Sequence, residues 1–193
     1  MNRRQILKLG LSTAATGLVA PALPSLFSST RAQAATPAFG SHRAIENSVY
    51  YNGTVFSFLA DSKGTGGGYA MYEVLLRQGL EPPPHTHTRE DEIFYILEGE
   101  ATFKSGSVMT EAKAGDHVFQ PRNELHWFKA KTPTLRGIII VTPGGLEKAF
   151  MTRGKPATSL ELPEPPAPPT PEQIMANVKF FAENYGVIYA PPQ

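Results

Sequence analysis

His85, His87, Glu92 and His126 are the residues of this 193-residue chain best equipped for chemistry. Imidazole nitrogens and a carboxylate oxygen are ligands for borderline divalent metals. The first three fall within eight residues, in Gly79-Leu-Glu-Pro-Pro-Pro-His85-Thr-His87-Thr-Arg-Glu-Asp-Glu92-Ile-Phe-Tyr-Ile-Leu-Glu-Gly99. The fourth closes Gly115-Asp-His-Val-Phe-Gln-Pro121-Arg-Asn-Glu-Leu-His126. Together they could hold one iron, manganese, nickel, copper, cobalt or zinc ion, and on a six-coordinate ion they leave positions open for a substrate.

Such a site needs elements that aim the side chains at one point. Residues two apart on a strand project to the same side, so an extended segment lets His85 and His87 converge, whereas a helix would send them apart. Pro82, Pro83 and Pro84 favour that extended entry. Glu92 follows a polar bend, Thr88 to Asp91, and heads Ile93-Phe94-Tyr95-Ile96-Leu97, a branched and aromatic run that reads as a strand. The same parity turns Phe94 and Ile96, and Phe128 next to His126, toward the metal side. These three form the expected substrate wall.

The two stretches resemble the paired motifs of the cupin superfamily. The first matches at every defining position: glycine, five residues, His-x-His, four residues, glutamate, six residues, glycine. The second departs where Asn123 replaces glycine and Ala130 replaces a frequent asparagine, neither a ligand position. The resemblance implies an all-β fold, a jelly-roll-like antiparallel β-barrel, with His85, His87, Glu92 and His126 as ligands of one internal divalent transition metal. Within the superfamily, Glu90 to Glu100, Gly115-Asp116, Pro121-Arg122 and Thr142 to Gly145 look most like single-domain proteins of the quercetin 2,3-dioxygenase-like group. That likeness implies oxygen-dependent cleavage of a small aromatic or enolic substrate, with Glu92 as ligand and proton acceptor. Isomerases, decarboxylases and non-catalytic binders of small molecules or metals share the same ligand set.

The rest of the chain is consistent with that architecture. Strand-like runs separated by turn signals extend over 54–59, 69–76, 93–97, 101–104, 117–120, 126–129 and 135–141, the rhythm of an all-β barrel or sandwich. Asn52-Gly53 marks a tight hairpin, because both positions of such a turn require positive φ. Gly64 to Gly68 reads as a turn rather than a phosphate cradle, since no Gly-Lys-Ser/Thr follows. Beyond the barrel, seven prolines between Pro156 and Pro171 predict an extended strap. Thr170-Pro171-Glu172-Gln173 then starts a C-terminal helix with a capping box, an apolar face of Ile174, Val178, Phe181 and Tyr185, and a stop at Gly186. Of the other histidines, His42 and His117 read as structural or surface residues. Trp127, opposite His126 in parity, reads as packed between barrel and helix or in a dimer contact.

Residues 1–34 read as a targeting segment: Arg3-Arg4, a moderately apolar run from Leu9 to Leu23, and Ala32-Gln33-Ala34. They resemble a bacterial twin-arginine export signal, which implies contact with export machinery and a periplasmic or secreted mature protein. That route carries proteins already folded, so manganese or iron could load in the cytoplasm ahead of more tightly binding metals. Lys8, Pro21 and Pro24 interrupt the run, so no stable membrane span is expected after cleavage. The expected organisation is a signal at 1–34, an extension at 35–47, the barrel at 48–152, and strap and helix at 153–193.

The whole chain carries 18 Lys and Arg against 17 Asp and Glu. Four of the basic residues lie in the signal, so the mature chain has 14 against 17, a net of minus 3, which leaves nucleic-acid binding without an electrostatic basis. The chain has no cysteine, which excludes disulfides, thiolate ligands and a cysteine nucleophile. The resemblance to cupins implies a small-molecule substrate and a second copy in a homodimer as the partners.

Overall fold

The computed structural model describes residues 36–191. The expected export signal lies outside the described residues. A 3-10 turn at Ile45–Asn47 leads into β1 (Ser48–Tyr51) and β2 (Thr54–Ala60), joined at Asn52 and Gly53, whose φ of 48° and 75° give the tight hairpin that this pair encodes. The chain continues through β3 (Ala70–Arg77), β4 (His85–His87), β5 (Asp91–Glu98), β6 (Glu100–Ser105) and β7 (Val108–Lys113). Next come β8 (His117–Gln120), β9 (His126–Ala130) and β10 (Thr134–Thr142), followed by α1 (Glu147–Arg153), β11 (Lys155–Pro156), α2 (Pro171–Tyr185) and β12 (Val187–Tyr189).

The strands form two antiparallel sheets, one in the order β11-β1-β2-β3-β10-β5-β8 and one in the order β12-β4-β9-β6-β7. Each central strand buries alternate residues: Ala70, Tyr72, Val74 and Leu76 on β3, Glu92, Phe94 and Ile96 on β5, His126, Phe128 and Ala130 on β9. Both sheets contribute to one continuous core, which is how a jelly-roll-like barrel closes. Phe94, Phe103 and Phe128 pack there with ring centroids 5.3 to 5.5 Å apart. Gly137 makes room for this group, since a methyl at that position would collide with the Phe94 ring.

The tail is part of the same construction. The strap is held by Arg77, whose Nη1 donates to the Pro163 carbonyl at 2.6 Å, and by Tyr50, which donates to the Ser159 carbonyl at 2.9 Å. Arg77 therefore points away from the barrel interior. Helix α2 begins at the expected cap, with Thr170 accepting from the Gln173 amide, and ends at Gly186 with a φ of 69°. Its apolar face is used unevenly: Phe181 is buried against Tyr51, Phe150 and Tyr189, while Ile174 is 47% exposed near the free N-terminal end. β12 then pairs with β4 and covers what would otherwise be its open edge.

Candidate metal centre

Three strands from both sheets deliver the four candidate ligands. β4 places His85 and His87 on one side, as its two-residue spacing requires, and pairs His85 with His126 of β9. β5 supplies Glu92 from the other sheet. All four side chains are buried, and one ligand atom from each lies within 4.8 Å of all the others. The sequence motifs are held together by Arg122, which donates from its backbone and its guanidinium to Asp91 at 2.7 to 3.0 Å. Those hydrogen bonds hold the Asp91 carboxyl down at about 2. Asn123 sits at a φ of 66°, so asparagine does occupy the left-handed turn in place of glycine.

Each histidine is oriented through Nδ1. His85 Nδ1 lies 2.8 Å from the Pro83 carbonyl, His126 Nδ1 lies 3.0 Å from the Glu124 carbonyl, and His87 Nδ1 lies 3.0 Å from Glu90 Oε1. Carbonyls and carboxylates only accept, so each Nδ1 must carry the hydrogen, and in the neutral ring each Nε2 presents a lone pair. His85 Nε2 and His87 Nε2 face each other at 3.1 Å, and His126 Nε2 is buried with no hydrogen-bond partner among the described residues, 3.6 Å from Glu92. Lone pairs so close repel unless a cation stands among them. The donor set, its tautomers and its unpartnered nitrogen therefore fit a divalent transition metal.

Protonation favours the same occupant. Burial, reinforced by His87 and His126, drives the His85 imidazole down to about 3, and burial also lowers His126 against the upward pull of Glu92. Burial likewise pulls on His87, but its hydrogen bond to Glu90 and the charges of Glu92 and Glu90 prevail, so its net shift is upward. Two histidines are thus neutral ligands in waiting, and proton competition with a metal falls mainly on His87.

Glu90, buried and hydrogen-bonded to His87, is not among the site residues that the sequence motifs mark. The available signal was its position three residues after a ligating histidine, within the polar bend. Removing its carboxylate by Glu90→Ala is expected to weaken metal affinity by about 10- to 100-fold, the usual effect of an outer carboxylate on a ligating histidine. Competition with a chromophoric chelator measures it. Unchanged affinity would mean that Glu90 does not orient His87. One surface hollow of about 310 Å³ has Arg89, Glu90, Leu146 and Tyr185 among its lining residues, but none of the four ligands.

Phe94, Ile96 and Phe128 all belong to the buried core. Phe94 and Ile96 share the buried face of β5 with Glu92, and Phe128 shares that of β9 with His126. Tyr189 adds a ring 5.7 Å from that of His85. Tyr72 is wholly buried, and burial, then the charges of Glu92 and Glu90, raise its phenol far above the ordinary range. His117 is exposed on the outer face of β8, and Trp127 is half-buried on the outer face of β9, with the Lys129 ammonium 5.6 Å from its ring.

The strands form an antiparallel two-sheet barrel in which three histidines and one glutamate converge, and residues 72–145 match the cupin domain family model. The chain is similar to quercetin 2,3-dioxygenase of Bacillus subtilis, 25% identical over 121 residues. That match covers 63% of this chain and 36% of the relative's length. Among solved structures it is similar to an RmlC-like cupin of Shewanella frigidimarina, with 21% identity, coverage of 57% and 93% of the two chains and a TM-score of 0.47. It is also similar to a Streptomyces nucleoside dehydratase, with 15% identity, coverage of 63% and 95%, and a TM-score of 0.46.

Proposed function

We propose that this cupin is an exported, metal-dependent dioxygenase that acts on a small aromatic or enolic substrate. The observation that carries the reading is the convergence of the four buried ligands within a barrel whose remaining interior is largely apolar and aromatic. Among the described residues no lysine or arginine side chain is buried, so the interior offers no cation to a carboxylate or phosphate substrate. A neutral, flat molecule suits such a lining. The similarity to a quercetin 2,3-dioxygenase supports the reaction class.

In this reading His85, His87, His126 and Glu92 hold the ion, which when bound supplies a Lewis acid and redox centre to an enol oxygen and to dioxygen. Glu92 is also the carboxylate placed to take the enol proton. Phe94, Ile96 and Phe128 exclude water and align the ring. Residues 1–34 direct export of the folded, metal-loaded chain to the periplasm or beyond, and iron or manganese is the resident metal.

Oxygen uptake by the metal-loaded mature protein, tested with flavonols and 1,3-diketones, decides the matter. Consumption with at least one such substrate is expected, with one dioxygen used per substrate molecule. Turnover under strict anaerobiosis would instead identify an isomerase or decarboxylase. Binding of the same compounds without turnover would leave a non-catalytic binder.

A further inference from the structure

Gln120 ends β8 and is 1% exposed, yet neither its amide oxygen nor its amide nitrogen has a hydrogen-bond partner among the described residues. Its Cα partner across the β5–β8 pair is Glu92, a metal ligand. Directly opposed residues of antiparallel strands project to the same face, so the Gln120 side chain shares the interior face of the sheet with Glu92. Val118, two residues earlier, is buried on that face, and His117 and Phe119 point outward. Ser105 stands in the same relation to His126: it is that residue's Cα partner across β6 and β9, and its hydroxyl is buried without a partner among the described residues.

Burying an amide with both ends unpaired is destabilising, and a leucine or methionine would fill the same space without that cost. Such a group is retained in a core when something other than the protein completes its hydrogen bonds. A glutamine amide presents one donor and one acceptor side by side and carries no charge. Its complement is a neutral group with an acceptor next to a donor, such as a carbonyl adjacent or conjugate to an enol hydroxyl. A carboxylate would leave the amide oxygen facing a negative charge.

We propose that Gln120 is a substrate-binding residue that recognises the keto-enol edge of the molecule bound beside the metal ligands. This inference rests on the dioxygenase reading and narrows it to uncharged 3-hydroxy-4-keto or 1,3-diketo compounds. Gln120 would fix which edge of the substrate faces Glu92.

The test uses the metal-loaded mature protein and its Gln120→Leu and Gln120→Met variants. The readouts are metal content, melting temperature without ligand, and anaerobic equilibrium binding of quercetin and acetylacetone. Both variants are expected to keep full metal content, to melt at or above the wild-type temperature, and to bind the probes at least about tenfold more weakly. Wild-type affinity in the variants would overturn the assignment. Loss of metal would overturn it too, by making Gln120 a support for Glu92, as would a lower melting temperature in both variants, which would give the amide a structural partner. A metal-loaded wild type that binds neither probe would instead overturn the dioxygenase reading, and the Gln120 assignment with it.

Discussion

His126→Ala is expected to leave a folded barrel that no longer holds its metal. The imidazole makes a single hydrogen bond to protein, from Nδ1 to the Glu124 carbonyl, and its buried Nε2 has no partner among the described residues. Deleting it therefore removes little that holds the fold together, and the cost in stability should be about 1–3 kcal/mol. The loss to the metal is of another order. One of four donors disappears, and the remaining lone pairs of His85 and His87, 3.1 Å apart, lose the geometry that made them part of a closed set. Metal affinity should fall by more than the roughly 100-fold that an outer-shell partner such as Glu90 can cost. Elemental analysis and circular dichroism together read the outcome. A variant that keeps full metal would remove His126 from the ligand set.

Phe94→Ala should do the opposite, damaging the fold more than the metal site. Phe94 is wholly buried, and it packs edge-on to Phe103 and at a tilt to Phe128, under a glycine that leaves room for its ring. Truncation removes most of a large apolar side chain and leaves a cavity that its neighbours cannot fill, a loss of about 3–5 kcal/mol. Chemical denaturation of the metal-free protein measures it. A loss below about 1 kcal/mol would mean that the ring stands free in a solvated pocket rather than within the core. The contrast between the two variants separates residues that hold the ion from residues that hold the barrel. It also shows how far the expected substrate wall doubles as structure.

Much of this was legible in the sequence because it depends on local geometry. The His85-x-His87 spacing implies convergence only on a strand, and β4 supplies one. Asn52-Gly53 implies positive φ at two positions, and Thr170 to Gln173 implies a helix start; both features stand where they were expected. The parts that could not be read depend on contacts between distant segments or on weak patterns. β7 buries only Ala112, so it has no alternation to detect. Helix α1 is seven residues long and has no side-chain cap. The pairing of β12 with β4 joins segments about a hundred residues apart, and three residues carry too little pattern to announce it. Glu90 and Gln120 acquire their roles only from what lies across from them, His87 in one case and Glu92 in the other.

The central claim, that His85, His87, Glu92 and His126 form one metal site, is tested most directly by stripping the mature protein with a chelator and titrating it with Mn(II) and Fe(II). Electron paramagnetic resonance should be recorded at saturation. A single ion per chain with nitrogen coupling from histidine is the expected result. Folded protein that takes up neither ion, or an ion whose spectrum shows no histidine nitrogen, would contradict it.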